Sequence, residues 1–136
     1  HRLGLHLTTD LVKLSDEDAS WLWPGASTDK VLDHLLECGA TIAALTLGGD
    51  GSIAATTEYR VHVPAPRVSV VDTVGAGDTF MAAFIHGLIV RPTLLNDPTE
   101  FELAQAVHFA AVAASLTVQR SGADLPTWTE VHAALA

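Results

Sequence analysis

The sequence predicts an α/β fold whose sheet takes a mixed character from a central antiparallel hairpin. Three features predict it. Short apolar, β-branched runs alternate with capped amphipathic segments along the chain. A Gly-rich turn in the middle, "GGDG" at 48–51, separates two strand-like runs that can pair directly. Hydrophobic residues make up 49% of the chain, so its 136 residues suffice for the core of one domain, or of half a larger one. No repeat and no low-complexity tract is present.

Leu11-Val12-Lys13-Leu14 is a short strand candidate. Ser15-Asp16-Glu17-Asp18 then has the S-x-x-D pattern of a helix start, for a short helix ending near Trp23-Pro24-Gly25. Ser27 caps a second helix whose apolar face is Val31, Leu32, Leu35 and Leu36, with Gly39 as its stop. Thr41–Leu47 is a buried strand, and Ser52–Thr57 with Tyr59–Val63 form the hairpin. "PAPR" prevents regular pairing, and Val68–Val71 is a last extended piece. From Thr79 to Val90 the set Phe80, Met81, Phe84, Ile85, Leu88 and Ile89 makes a helical stripe. Asp97-Pro98-Thr99-Glu100 supplies cap, N1 proline and N3 glutamate for an alanine-rich helix from Pro98 to about Leu116, buried on most sides. Thr127-Trp128-Thr129-Glu130 is a capping box for a terminal helix.

Composition excludes some partners. Sixteen Asp and Glu against seven Lys and Arg give a net charge of −9, which argues against DNA or RNA but not against a small anion held by local donors. Apolar runs are broken by charges, Gly or Pro, so no stretch of transmembrane length and no membrane partner is expected. Cys38 is the single cysteine, which excludes an internal disulfide and suits a reducing cytoplasm; a buried structural thiol is expected. The histidines at 1, 6, 34, 62, 86, 108 and 132 lack the paired spacing of a zinc site. Trp21 and Trp23 are expected to pack around a turn. The first residue is His1 and the only methionine is Met81, so the chain is expected to be a piece of something longer.

The chemistry concentrates in "VVDTVGAGDTF", Val70 to Phe80. Gly75, Ala76 and Gly77 stand just before a helix, where free N–H groups and the positive end of the dipole favour an anion and small residues let it approach the backbone. Asp78 at the helix start is placed to take a proton from a hydroxyl attacking phosphorus. A plain turn with Asp78 as a helix cap accounts for the same residues. No G-x-x-x-x-G-K-[ST] loop exists, and Gly75-x-Gly77-x-x ends on Phe80 where a dinucleotide fold needs a small residue.

The longer string Asp72-Thr73-Val74-Gly75-Ala76-Gly77-Asp78-Thr79-Phe80 resembles the carboxyl-terminal signature of the ribokinase-like (PfkB) sugar kinases, D-T-x-G-A-G-D-x-F. Three further segments fall in that family's order. "DLVKLSDED" is similar to its N-x-x-E region, in a form common among bacterial fructokinases. "TLGGDG" is similar to its T-x-G-x-x-G nucleotide turn, and "HFAAVAASLTVQRSGA" to its late helix and loop. The resemblance spans nearly the whole chain. It implies a ribokinase-like (Rossmann-like) three-layer α/β/α sandwich with a mainly parallel sheet and an antiparallel hairpin, of which residues 1–136 are the carboxyl-terminal, nucleotide-binding half. The implied activity is ATP-dependent phosphorylation of a sugar hydroxyl, with fructose preferred and ribose, 2-keto-3-deoxygluconate or a nucleoside open.

The resemblance also implies roles. Asp78 is the base, and Gly75, Ala76 and Gly77 form the anion hole for the transferring phosphoryl group. Thr46, Gly48 and Gly51 contact the nucleotide, and Ala111 lines the adenine pocket where many members have asparagine or histidine. Ser15 and Asp18 stand for the pair that organises phosphate and Mg²⁺; both are shorter than the family's asparagine and glutamate, and a helix cap accounts for them equally. Asp72, with the carbonyls of Val74, Arg120 and Gly122, stands for a K⁺ site, although Pro126 falls near the family's late serine. The amino-terminal half, with the sugar pocket and a lid through which members can form homodimers, has no counterpart here, so the fragment alone is expected to be inactive. A nucleotide-binding module without turnover, or a structural half-fold held by a partner, are the alternative classes.

Overall fold

The computed structural model describes residues 10–122 and 124–135; His1 and His6, and the end of the "SGA" loop, lie outside them. The first apolar run forms β1 (Leu11–Ser15), and Ser15 begins α1 (Asp16–Leu22). A second helix, α2 (Thr28–Glu37), returns the chain to β2 (Ile42–Thr46) beside β1. A 3₁₀ turn at Gly48–Asp50 then reverses it into β3 (Ser52–Ala55) and β4 (Arg60–Val63). The rest is helical: α3 (Ala76–Val90), a 3₁₀ turn at Pro92–Leu95, α4 (Glu100–Val118) and α5 (Trp128–Leu135).

The sheet runs β1-β2-β3-β4. β1 and β2 are parallel, from Leu11 opposite Ile42 to Ser15 opposite Thr46, because two helices intervene. β2–β3 and β3–β4 are antiparallel, joined by tight turns. The described sheet is therefore mixed, as the central hairpin predicts: the short connections after β2 leave room only for hairpins.

Strand alternation gives each face its own core. Ile42, Ala44, Ala54, Val61 and Val63 meet Phe80 and Phe84 of α3, Leu103 and Val107 of α4 and Val131 of α5. Ala43, Leu45 and Ala55 meet Ala19 of α1 and Val31, Leu32 and Leu35 of α2. Helices on both faces make the expected three layers. Arg60 ties β4 to α2 through Asp29 at 2.7 Å and Asp33 at 2.6 Å.

The caps at Ser15, Ser27 and Thr127 form as expected, the first and last as capping boxes. Elsewhere geometry overrides the pattern. Val68–Val71 joins no strand; two prolines interrupt its approach, and the N–H groups of Val71 and Asp72 both donate to the Val118 carbonyl. α3 starts at Ala76, two residues before Asp78, and of its stripe only Phe80 and Phe84 are buried, with Thr79 and Ala83 buried beside them and Ile85 and Ile89 exposed. Asp97 does not cap α4: the helix begins at Glu100, so Thr99 is its N-cap, boxed with Glu102, and Asp97 stands two residues earlier at a left-handed φ of 71°. Trp21 is 82% exposed, about 200° around α1 from its single inward residue, Ala19. Trp23 does pack, edge-on to His34.

α4 is long and apolar enough, by length and composition, to cross a membrane, contrary to the expectation from the sequence. Here that apolarity lies in the core, where Leu103, Val107 and Ala110–Ala113 are buried. Cys38 is a buried thiol as expected.

Candidate functional site

A cavity of about 610 Å³ opens where the end of β1, the 48–51 turn, the 65–70 segment, the start of α3 and the end of α4 meet. It gathers Ser15, Thr46, Gly48, Gly51, Ala76, Gly77 and Ala111, which the sequence scatters over nearly a hundred positions. Its lining is mixed: Lys13, Ser15, Thr46 and several glycines share it with Ala65, Pro66, Val68, Val70, Ala111, Ala114 and Val118. A ligand with both anionic and flat apolar parts matches such a lining.

The donors for an anion come from α3. Gly75 holds φ at 83°, a left-handed N-cap that glycine adopts without strain. The chain then turns directly into helix, so Ala76, Gly77 and Asp78 occupy the first three helical positions rather than preceding the helix. The Ala76 N–H donates to Thr73, and the Thr79 N–H and hydroxyl both donate to the Gly75 carbonyl. The N–H groups of Gly77 and Asp78 have no acceptor among the described residues. They are the free donors that an oxyanion needs. Below them, the Thr79 and Thr117 hydroxyls share a buried hydrogen bond of 2.8 Å that ties this turn to α4.

Gly77 is not demanded by the fold. A Cβ there would meet no backbone, only Lys13 Nζ at 3.0 Å, so the missing side chain leaves open cavity. Gly51 is different: at φ 97° its Cβ would run into the Val63 carbonyl and crowd Pro64. Gly48 also has positive φ, at 58°, but faces open space.

Asp78 is exposed in the first turn and does not line the cavity. Asp72, Val74 and Gly122 come together beside the cradle. The Asp72 carboxylate accepts the N–H of Val74 and that of Gly122, each at 3.0 Å. Those bonds, Val74 first, hold its carboxyl below the ordinary aspartate range. Arg120 belongs to the same loop by its backbone; its guanidinium turns to Glu130 at 2.6 Å.

Ser15 and Asp18 act as the cap that the sequence allowed. The Ser15 hydroxyl accepts the Asp18 N–H at 3.0 Å, and Asp18 Oδ2 accepts the Ser15 N–H at 3.3 Å. Hydrogen bonding to Ser15 lowers the Asp18 carboxyl. Ser15 still reaches the cavity wall; Asp18 does not, whereas its neighbours Asp16 and Glu17 do.

Two cations on this wall were missed from the sequence, Lys13 and Arg67. Strand alternation carries the signal for the first. Leu11 packs on the α3–α4 side and Val12 and Leu14 on the other, so Lys13 is a charge at an inward strand position.

Residues 5–130 match the profile of the pfkB family carbohydrate kinase. A fructokinase of Rhizobium leguminosarum bv. trifolii is 44% identical over 80 residues, covering 59% of this chain and 24% of that protein. A probable chloroplastic fructokinase of Arabidopsis thaliana, fructokinase-6, is 35% identical over 98% of this chain and 35% of its own length. Among solved structures, the fructokinase of Vibrio cholerae O395 in its fructose-, ADP- and calcium-bound form superposes with a TM-score of 0.81 at 27% identity, over 93% of this chain and 41% of that one. The chain thus spans between a quarter and two fifths of the proteins it matches.

Proposed function

The chain belongs to the pfkB family of carbohydrate kinases, and from that premise we propose that it is the nucleotide-binding part of an ATP-dependent, fructokinase-like sugar kinase. Its fold is ribokinase-like. The observation that carries the reading is the meeting, in one cavity, of the Thr46–Gly51 turn and the first turn of α3, with two unsatisfied N–H groups and no side chain at Gly77.

In this reading the triphosphate lies by the glycines and the first turn of α3, and the adenine against Ala111, Ala114 and Val118. The free N–H groups stabilise charge on the transferring phosphoryl oxygens as it develops. Asp78, exposed beside them, receives the proton of the attacking sugar hydroxyl as the new O–P bond forms. The sugar pocket belongs to a part of the protein that this chain does not span.

For Mg²⁺ the donors fit in part. Asp18 Oδ1 accepts no hydrogen bond among the described residues, and Ser15 reaches the wall. Such an ion takes hard oxygens and would neutralise phosphate charge. For K⁺, the Asp72 carboxylate and the carbonyls of Val74, Arg120 and Gly122 are the oxygen donors, and the ion would firm the loop that leads into the cradle. The single thiol suits a cytoplasmic, reducing setting, and the lid would join two copies of the protein as a homodimer.

The test is a coupled ADP-release assay on the full-length protein with fructose, ribose and 2-keto-3-deoxygluconate, in K⁺ and in Na⁺. Fructose is expected to give the highest kcat/KM, with activation by K⁺. Nucleotide binding without sugar-dependent ADP release would favour a binding module instead.

A further inference from the structure

We propose that this site holds the base of its phosphoryl donor by apolar contact, so that it takes the purine nucleoside triphosphates as a class and does not select adenine. The inference rests on the kinase reading above and deepens it by naming the donor class.

The wall that would carry the base is one face of α4. Ala111, Ala114, Ser115 and Val118 line the cavity, and their spacing of three and four residues puts them on one side of the helix. Three of them end in methyl groups. Ser115 is buried, and its hydroxyl donates to the Val112 carbonyl at 2.6 Å. The carbonyls at the end of the helix are engaged as well: Ser115 accepts from the Gln119 side chain, Thr117 from the Arg120 N–H, and Val118 from those of Val71 and Asp72. The remaining hydroxyls of the lining stand elsewhere. Ser15, Thr46 and Ser52 lie opposite one another across β1, β2 and β3, next to the 48–51 turn, and Thr73 leads into α3. Those are the places where the reading puts phosphate.

The 65–70 segment adds Ala65, Pro66, Val68 and Val70 to the lining, and one polar side chain, Arg67. A guanidinium donates and accepts nothing, so it suits N7, which adenine and guanine share, and O6 of guanine, but not the adenine 6-amino group. The N–H and C=O groups of residues 67–70 have no partner among the described residues; they offer donors and acceptors alike and suit either base edge. Strong rejection of one base needs a buried polar group that the wrong base leaves unpaired, whereas an apolar slot reads size and flatness. Val70 is 61% exposed and Arg67 is exposed, so this wall meets water and a purine's polar edge keeps its hydration. The chemistry is the same for each donor. The sugar oxygen bonds to the γ-phosphorus as the bond to the β-γ bridging oxygen breaks, the nucleoside diphosphate leaves with that electron pair, and the hydroxyl proton goes to Asp78.

The test is a donor series on the full-length protein: ATP, GTP and ITP, with formation of phosphorylated labelled fructose as the readout and calorimetric binding of ADP, GDP and IDP beside it. The three kcat/KM values should lie within about tenfold of one another, and so should the three dissociation constants. Ala111→Asn brings a side-chain donor and acceptor to the α4 face, and it should spread the three kcat/KM values beyond about tenfold. A parent that favours ATP over GTP and ITP by more than about tenfold would overturn the proposal and leave the kinase reading standing. A folded Ala111→Asn protein that works with ATP and keeps the parent's narrow spread would also overturn it, by showing that the base does not lie on α4. A parent that transfers phosphate from none of the three donors to any sugar would sink the kinase reading and this inference with it.

Discussion

Gly51 and Gly77 stand on the same cavity wall, and in the sequence they look alike. Around them the structure differs. Gly51 has positive φ, and its hydrogen atoms face the carbonyl of Val63 and the backbone of Pro64; any side chain there collides with the end of β4. Gly77 has ordinary helical geometry, and a side chain there would meet only the tip of Lys13. One glycine is needed by the fold. The other leaves space that the fold does not use, and that space is the strongest sign of a ligand in the molecule.

The largest effect should sharpen this contrast from the chemical side. Asp78 is exposed and its carboxylate bonds to nothing described, so Asp78→Asn should leave the melting temperature unchanged. In the full-length protein kcat should fall by about 10²–10⁴-fold with nucleotide affinity nearly constant. Turnover within a few-fold of the parent would remove Asp78 as the base.

Gly51→Val attacks the contrast from the structural side. The substituted residue combines a strained positive φ with overpacking against β4, together about 2–5 kcal/mol of lost stability. Denaturant unfolding measures it, and a loss under about 1 kcal/mol would show that the turn can relax and that Gly51 too serves the ligand.

A smaller effect concerns the loop that leads into the cradle. The N–H groups of Val74 and Gly122 lower the folded-state carboxyl of Asp72 below its ordinary 3.8. The stabilisation is therefore complete above that value and lost as pH falls through the lower folded one. The Gly122 amide resonance should stay fixed from pH 7 to 5 and move only below about pH 3.8, with no such step in Asp72→Asn. A midpoint above 3.8 would contradict the hydrogen-bonding account.

How much of this was legible before the structure depended on how local the cause was. Strands and most caps follow from neighbouring residues, and Ser15, Ser27 and Thr127 act where the sequence puts them. The start of α4 failed because Asp-Pro-Thr-Glu offers two caps, and the structure uses the later one, Thr99, boxed with Glu102. Trp21 and Ile89 failed because an apolar residue can be expected to bury itself only once its neighbours' faces are known. In the site, the motif residues converge on one cavity, but their meanings diverge in ways that need distances. Ser15 and Asp18 satisfy each other, Gly51 answers to Val63, and Lys13 faces inward only because β1 pairs in register with β2.

The most direct test of that difference is Gly77→Val in the full-length protein, with stability, nucleotide affinity and turnover measured on the same preparation. Valine and glycine differ little in helix preference, and no backbone stands in the way, so unfolding free energy should stay within about 1 kcal/mol of the parent. Sugar-dependent ADP release should fall by at least about 10²-fold, because the side chain fills the place of the transferring phosphoryl group. A folded Gly77→Val protein with the parent's turnover would contradict the claim that this space exists for the phosphoryl group.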